Sequence, residues 1–287
     1  MIRFGPAGNS DSFYAQGYSA SWQAPKWLRE MGLSAYEYSF GRGIALRDET
    51  ALKIAAQARE NDIAVSVHAP YFINLGNPDP EKREASFRYI TESARLVKLL
   101  GGERAVVHVG AVMKLSRADA LRNCREGIRE AYCRLDDLGL SQIRLCPETM
   151  GRPSQIGDLA ETLEICQLDE RLIPCLDFAH LHALGNGALN QTEDFARVLD
   201  AAEQALGMER AREMHIHFST IEYTAKGEKR HRTFAEEKFG PRFDHLAPLL
   251  AARGYRPRII CECHGTMAED AKKMLEIYES WLNEKHQ

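Results

Sequence analysis

Short runs of β-branched and apolar residues recur along the chain, at Ile2–Phe4, Ala35–Phe40, Ile63–Val67, Arg104–Val107, Ile143–Cys146, Leu172–Leu176, Glu213–His217 and Arg258–Cys263. Between them lie stretches with apolar positions three and four apart and charges on the remaining face. Glu81–Leu100, Arg117–Leu138, Gln155–Cys166 and Thr266–Glu284 are the clearest. The first pattern predicts buried strands, the second helices with one face in a core. Strands alternating with helices predict βαβ units and a parallel sheet. Eight runs at roughly 30–40-residue spacing match the count of a (β/α)8 barrel. An open doubly wound sheet has the same periodicity, but normally carries a G-x-G-x-x-G turn after its first strand. Gly5-Pro6-Ala7-Gly8 lacks that pattern and reads as a plain turn. No Pro/Gly/Ser-rich linker interrupts the alternation, so the expectation is an α/β fold, one barrel domain over residues 1–287.

Composition narrows the class. Hydrophobic residues make up 44% and charged residues 27% of the 287, which excludes a disordered polymer or a collagen-like chain. Lysine and arginine number 37 against 41 aspartates and glutamates, a net charge of −4 that excludes a strongly basic nucleic-acid coat. No run of about 18 apolar residues offers a membrane span. The start, MIRFGPAGNSDSFY, has no charged segment followed by an apolar one, so no secretory signal is read and a cytoplasmic location is expected. Seven cysteines at 124, 133, 146, 166, 175, 261 and 263 show no paired spacing and are expected to stay reduced. Cys261 and Cys263 flank Glu262, so strand alternation sends both thiols to the face opposite the carboxylate. With Cys146, they read as small buried hydrophobes.

Candidate chemistry sits at the strand ends. Six of the eight runs end in or lead into a metal-capable side chain: His68, His108, Glu148, Asp177, His215 and Glu262. In a barrel the C-terminal strand ends share one mouth, where function is built. Three imidazoles and three carboxylates converging there are costly to bury unpaired, and divalent cations offset that cost. Mixed nitrogen and oxygen donors suit zinc, manganese or iron. His180 follows Asp177 by three residues, about one helical turn. His215 and His217 share a strand face, so His217 is either a second ligand or a supporting hydrogen-bond partner. His231 lies in the polar segment Lys226–Arg232, long enough to fold over the mouth. His182 reads equally as a surface residue, and His245, His264 and His286 read as ordinary ones.

These residues, in this order, resemble the endonuclease IV family of apurinic/apyrimidinic endonucleases, within the xylose isomerase-like TIM barrels. The segment His68-Ala69-Pro70-Tyr71-Phe72-Ile73-Asn74-Leu75-Gly76-Asn77-Pro78 resembles that family's H-x-x-Y-x-I-N-L-G-x-P motif, and Asp177-x-x-His180 its D-x-x-H motif. The likeness runs from about residue 60 to residue 265; earlier residues match only in layout. It implies a (β/α)8 TIM barrel with two or three zinc ions. His68, His108 and Glu148 would hold the first ion. Glu148 would bridge to a second held by Asp177, His215 and Glu262, and His180 and His231 would belong to a third. It further implies that Glu148 and Glu262 are the catalytic carboxylates, holding a metal-bridged hydroxide that attacks the phosphate 5′ to an abasic lesion. The partner implied is damaged duplex DNA, met by Tyr71, Phe72, Arg42 and Arg230; no membrane or protein partner is implied.

Three departures stand out. Lys229 occupies the place, two before His231, where the family has a third-site aspartate, and Glu228 could substitute with a shift in the loop. Glu148 continues as E-T-M-G-R instead of E-N-T-A-G, and His215 continues as Ile-His-Phe-Ser where the family has L-N-D. The residues therefore support two ions more firmly than three. Lys226, Lys229, Arg230 and Arg232 would line one basic rim. The altered third site and the acidic total also leave two rivals: a metal-dependent sugar or sugar-phosphate isomerase or epimerase, and a non-catalytic barrel with a degraded site.

Overall fold

The computed structural model describes residues 1–41 and 43–284. Eight parallel strands build its centre: β1 (Arg3–Pro6), β2 (Ala35–Ser39), β3 (Ala64–His68), β4 (Arg104–Val107), β5 (Arg144–Pro147), β6 (Cys175–Asp177), β7 (His215–Phe218) and β8 (Arg258–Cys261). They form two four-stranded sheets, β1-β8-β7-β6 and β2-β3-β4-β5. Single parallel bridges, Ala7 with Glu37 and Glu148 with Cys175, join the sheets on both sides and close the ring. The chain is thus a single α/β barrel, as the alternation predicts. The Gly5-Pro6-Ala7-Gly8 stretch is less of a turn than its composition suggests: Gly5 and Pro6 belong to β1, and Ala7 makes the closing bridge.

The helices form where their caps and apolar spacing dictate. Asp79 accepts from the backbone N–H groups of Glu81 and Lys82 ahead of helix Pro80–Leu99, whose Phe87, Ile90, Ala94 and Val97 face the core. Such a cap contributes about 1 kcal/mol. Ser116 caps Arg117–Asp137 in the same way. The stretch read as a helix from Gln155 begins only at Leu159, because Asp158 and Glu161 form a reciprocal capping box there. Gln155–Ile156 instead pairs antiparallel with Gly110–Ala111.

At the N-terminal end of the barrel, two buried arginines cross the interior. Arg104 donates to the Met214 carbonyl and Arg258 to that of Val65. The opposite mouth is partly covered by an antiparallel hairpin, Thr220–Thr224 with Gly227–Arg232. Its turn lies close against the loop after β5. A Cβ on Gly227, whose φ is +95°, would meet the Gly151 carbonyl at 2.3 Å. Among the described residues no helix is long and apolar enough to cross a membrane. The seven cysteines are free.

Candidate metal centre

Each imidazole at the mouth is held by one ring nitrogen and offers the other. His68 Nδ1 stands 2.7 Å from the Ala69 carbonyl and His108 Nδ1 3.1 Å from the Tyr71 carbonyl. His180 Nδ1 stands 2.9 Å from the Thr149 carbonyl. A carbonyl only accepts, so Nδ1 carries a proton and Nε2 is the atom left to face a proton or a metal. His231 obeys the same logic at one remove. Ser219 spends its hydroxyl proton on the Thr220 carbonyl and so accepts from His231 Nδ1 at 2.8 Å. Histidines that ligate metals are usually oriented in this way.

The Nε2 atoms of His68 and His108 converge on Glu148, which follows β5 and is fully buried. Its Oε2 lies 3.1 Å from His68 Nε2 and 2.9 Å from His108 Nε2. Its Oε1 lies 3.1 Å from Nδ1 of His217, which is also 3.3 Å from Glu262 Oε2. Burial acts to raise the pKa of Glu148, but His108, His217 and His68 outweigh it and hold the carboxylate well below its usual range. The same carboxylates hold His68, despite its burial, up at about 9. These groups come from five strand ends, as the barrel argument predicts.

Asp177, at the end of β6, serves two purposes. Its Oδ1 caps helix Phe178–Leu184 by accepting from the His180 N–H at 2.7 Å. Its Oδ2 is buried without a hydrogen-bond partner among the described residues. Thr149 ties this corner together, since its hydroxyl accepts from the Asp177 N–H at 2.8 Å and its carbonyl holds His180. Burial first, with Glu148 and Glu262 beside it, raises the Asp177 pKa above the usual carboxylate value, although His180 and His231 oppose that rise.

A third set gathers at the hairpin. His180 Nε2 lies 3.2 Å from His231 Nε2 and 2.7 Å from Glu228 Oε2. Two lone pairs facing each other at that distance need a cation between them, either a proton or a metal. Glu228 reaches this point through a β-bulge. Glu222 pairs with Arg230 and Tyr223 with Glu228, so Lys229 is the extra residue. A bulge shifts the alternation by one. Glu228 and His231, three apart, therefore share the inner face, while Lys229 turns outward to Glu222 at 2.5 Å. Burial would raise the Glu228 carboxyl, but His180 and His231 bring it down to about 2.

His215 is the one predicted ligand that the structure places elsewhere. It begins β7 whereas His217 lies two residues on, and successive inward residues of a strand are about 6–7 Å apart along it. His217 consequently reaches the mouth and His215 sits one layer deeper. Its Nε2 faces Glu37 Oε2 at 3.0 Å, and burial above all lowers its pKa to about 4. Glu37, on β2 and fully buried, also lies 2.9 Å from His217 Nε2 through its Oε1 and accepts from the Ser66 hydroxyl. Little in the sequence points to Glu37; its only trace is a lone charge between two tyrosines in Ala35-Tyr36-Glu37-Tyr38-Ser39.

Around this centre lies a cavity of about 410 Å³, bordered by Tyr71, Arg152, Gln155 and the ligand-capable groups. Tyr71 and Phe72 are 51% and 42% exposed beside it. Arg230 is exposed on the hairpin, but Arg232 as well as Lys229 pairs with Glu222, so the basic rim is partly neutralised. Arg42 and His286 lie outside the described residues. His182 is buried, accepting from the Leu189 N–H, away from the three sets.

The donors suit divalent ions. At the mouth, His68, His108 and Glu148, then His68, His217 and Glu262, then Asp177, His180 and His231 bring their atoms within 4.8 Å of one another, and one layer deeper Cys175, His215 and His217 do the same. Asp177 Oδ2, buried without a hydrogen-bond partner among the described residues, points to the same need, and Glu228 Oε2 faces only His180 Nε2 at 2.7 Å.

A closed α/β barrel with imidazoles and carboxylates drawn together at its C-terminal mouth is a TIM-type barrel with a candidate cation site. More particularly, the family described as xylose isomerase-like TIM barrel matches residues 25–284, and the chain belongs to it. An uncharacterised protein of Methanocaldococcus jannaschii is 34% identical over 279 residues, 97% of each chain. The probable endonuclease 4 of Shouchella clausii is 29% identical over 171 residues, covering 58% of this chain and 56% of that protein. Among solved structures, a D-tagatose 3-epimerase-like protein superposes with a TM-score of 0.75 at 18% identity over 100% of both chains. Endonuclease IV from Thermus thermophilus does so at 0.70 and 23%, over 98% of this chain and 99% of that one. At such identities the structural likeness is one of fold. The resemblance to endonuclease IV is thus present among both sequence relatives and folds, beside an epimerase-like neighbour.

Proposed function

We propose that the protein is a metal-dependent phosphodiesterase of the endonuclease IV kind, cutting duplex DNA on the 5′ side of abasic sites. The observation that carries this reading is the surplus of imidazoles. Glu148, Asp177, His217 and Glu262 would suffice for the one-ion site of a sugar isomerase. His68 and His108 on one side, and His180, His231 and Glu228 on the other, extend that set to two further positions. These residues would hold zinc, with manganese or iron as alternatives, and such ions would supply Lewis acidity for an in-line displacement at phosphorus. Glu148 spans two of the positions, and Glu262 holds the far side. Tyr71 and Phe72 offer apolar faces at the rim to a base pair opened by the lesion. Arg230 is placed for a phosphate contact.

The second reading, a sugar or sugar-phosphate isomerase or epimerase, draws on the epimerase-like neighbour and on the pairing of Lys229 and Arg232 with Glu222. A duplex with a single abasic site separates the two. The expected result is one nick, 5′ to the lesion, abolished by a chelator and restored by zinc or manganese. No nick, together with metal-dependent turnover of a ketose or ketose phosphate, would decide for the isomerase.

The layer assignment on β7 carries its own test. His217→Gln is expected to lose bound metal and at least about 100-fold of activity. His215→Gln keeps the metal content and costs only stability, about 1–3 kcal/mol for a disturbed buried polar contact. Metal analysis and melting curves of both variants check this; metal loss from His215→Gln alone would reverse the assignment.

A further inference from the structure

We propose that Cys261, Cys263, Asp270 and Thr266 form a separate, thiolate-type cation site for zinc, behind the strand end that carries Glu262. Cys261 ends β8 and Cys263 follows Glu262; Thr266 and Asp270 belong to the start of the C-terminal helix Met267–Glu284 and the residue before it. The two thiols turn away from the mouth, as alternation requires, yet they meet each other. Sγ of Cys261 lies 3.6 Å from Sγ of Cys263, which lies 3.6 Å from Thr266 Oγ1. Thr266 Oγ1 lies 3.3 Å from Asp270 Oδ2. The Cys261, Cys263 and Asp270 donors all fall within 4.8 Å of one another.

These separations are three of the six edges that a four-donor tetrahedral site has. With Zn–S near 2.3 Å and Zn–O near 2.1 Å, ideal edges are about 3.8 Å for S–S, about 3.6 Å for S–O and about 3.4 Å for O–O. The Thr266–Asp270 separation is also that of a hydrogen bond from the hydroxyl to the carboxylate, so the two sulfur contacts carry the argument. Cys261 is 0%, Cys263 5% and Asp270 1% exposed, the enclosure of a structural site. Charge also closes: two thiolates and one carboxylate against a divalent ion leave one negative charge, and Lys273 Nζ stands 3.4 Å from Asp270 Oδ1.

The Phe234 N–H, from the segment after the hairpin, donates to Asp270 Oδ2 at 2.9 Å. An ion here would therefore tie together the end of β8, the C-terminal helix and the chain leaving the hairpin. It would grip both neighbours of Glu262, and through them set the direction of that carboxylate. The site stands whether or not the mouth acts on DNA.

The full-length protein loaded with zinc, and in parallel with cobalt(II), tests the site. The wild type is expected to show a sulfur shell near 2.3 Å in zinc X-ray absorption, and a thiolate-to-cobalt charge-transfer band in the near ultraviolet. The double variant Cys261→Ser/Cys263→Ser is expected to lose that band and one equivalent of zinc. Glu148→Gln should lower the ion count at the mouth and leave the band in place. Cys175→Ser, which removes the thiol beside His215 and His217, should also leave it. A wild-type zinc spectrum fitted by nitrogen and oxygen alone overturns the proposal even if the double variant does not fold. A band that survives the double variant, or disappears with Cys175→Ser, overturns it as well.

Discussion

Glu148→Gln is expected to reduce abasic-site cleavage by about three orders of magnitude or more, and to release metal from the mouth without unfolding the barrel. The residue is fully buried, with two imidazole nitrogens about one oxygen and a third at the other. A carboxylate offers lone pairs on both oxygens; an amide offers them on one, and turns a donor toward whatever faces its nitrogen. In either orientation one of the two ion positions loses a ligand and a unit of compensating charge. Losing even a supporting contact of a metal ligand typically costs 10–100-fold. On the proposed function Glu148 would be a ligand common to two ions, and its loss would weaken the Lewis acidity they would supply to a displacement at phosphorus. The fold survives because glutamine is nearly isosteric and relieves the cost of burying a charge. Turnover at saturating metal, metal content and the melting curve provide the three readings. Wild-type turnover would remove Glu148 from the mechanism.

The barrel was legible because parallel strands covered on both faces read as continuous apolar runs. All eight runs overlap a strand, with ends displaced by up to three residues. The helix start at Leu159 was legible in principle too, since Asp158 and Glu161 spell a capping box and Gly157 precedes it. The inward face of β7 was equally open to reading, but its depth was not. Alternation tells which side a histidine takes, whereas the layer depends on how far each strand extends before the mouth opens. That is why the structure sets His217, not His215, beside Glu148. Glu37 was hidden for a related reason: on a strand it looks like any polar residue until β7 is brought across the ring to face it. The hairpin over the mouth escaped because its bulge breaks the period of two that would have announced it.

That bulge leads to the second large effect, at Glu228. Glu228→Ala is expected to lose one ion from the position shared with His180 and His231, and about 100-fold or more of cleavage activity. Without the carboxylate, the two Nε2 lone pairs 3.2 Å apart keep their mutual repulsion and lose the negative charge that attracts a cation. Arg152, 3.2 Å from Glu228 Oε1, would lose its partner as well, but its side chain is half exposed and that pair is worth little. Deleting Lys229 provides the decisive counterpart. It removes the unpaired residue, restores a regular ladder and leaves Glu228 two positions before His231, so strict alternation returns both to the inner face. The deletion should thus keep the ion and stay within several-fold of wild-type activity, although it shortens the hairpin. Replacing Glu228 should be far more damaging than removing its neighbour. Full metal content and full activity in Glu228→Ala would reduce Glu228 to a partner of Arg152, and the mouth to two ion positions.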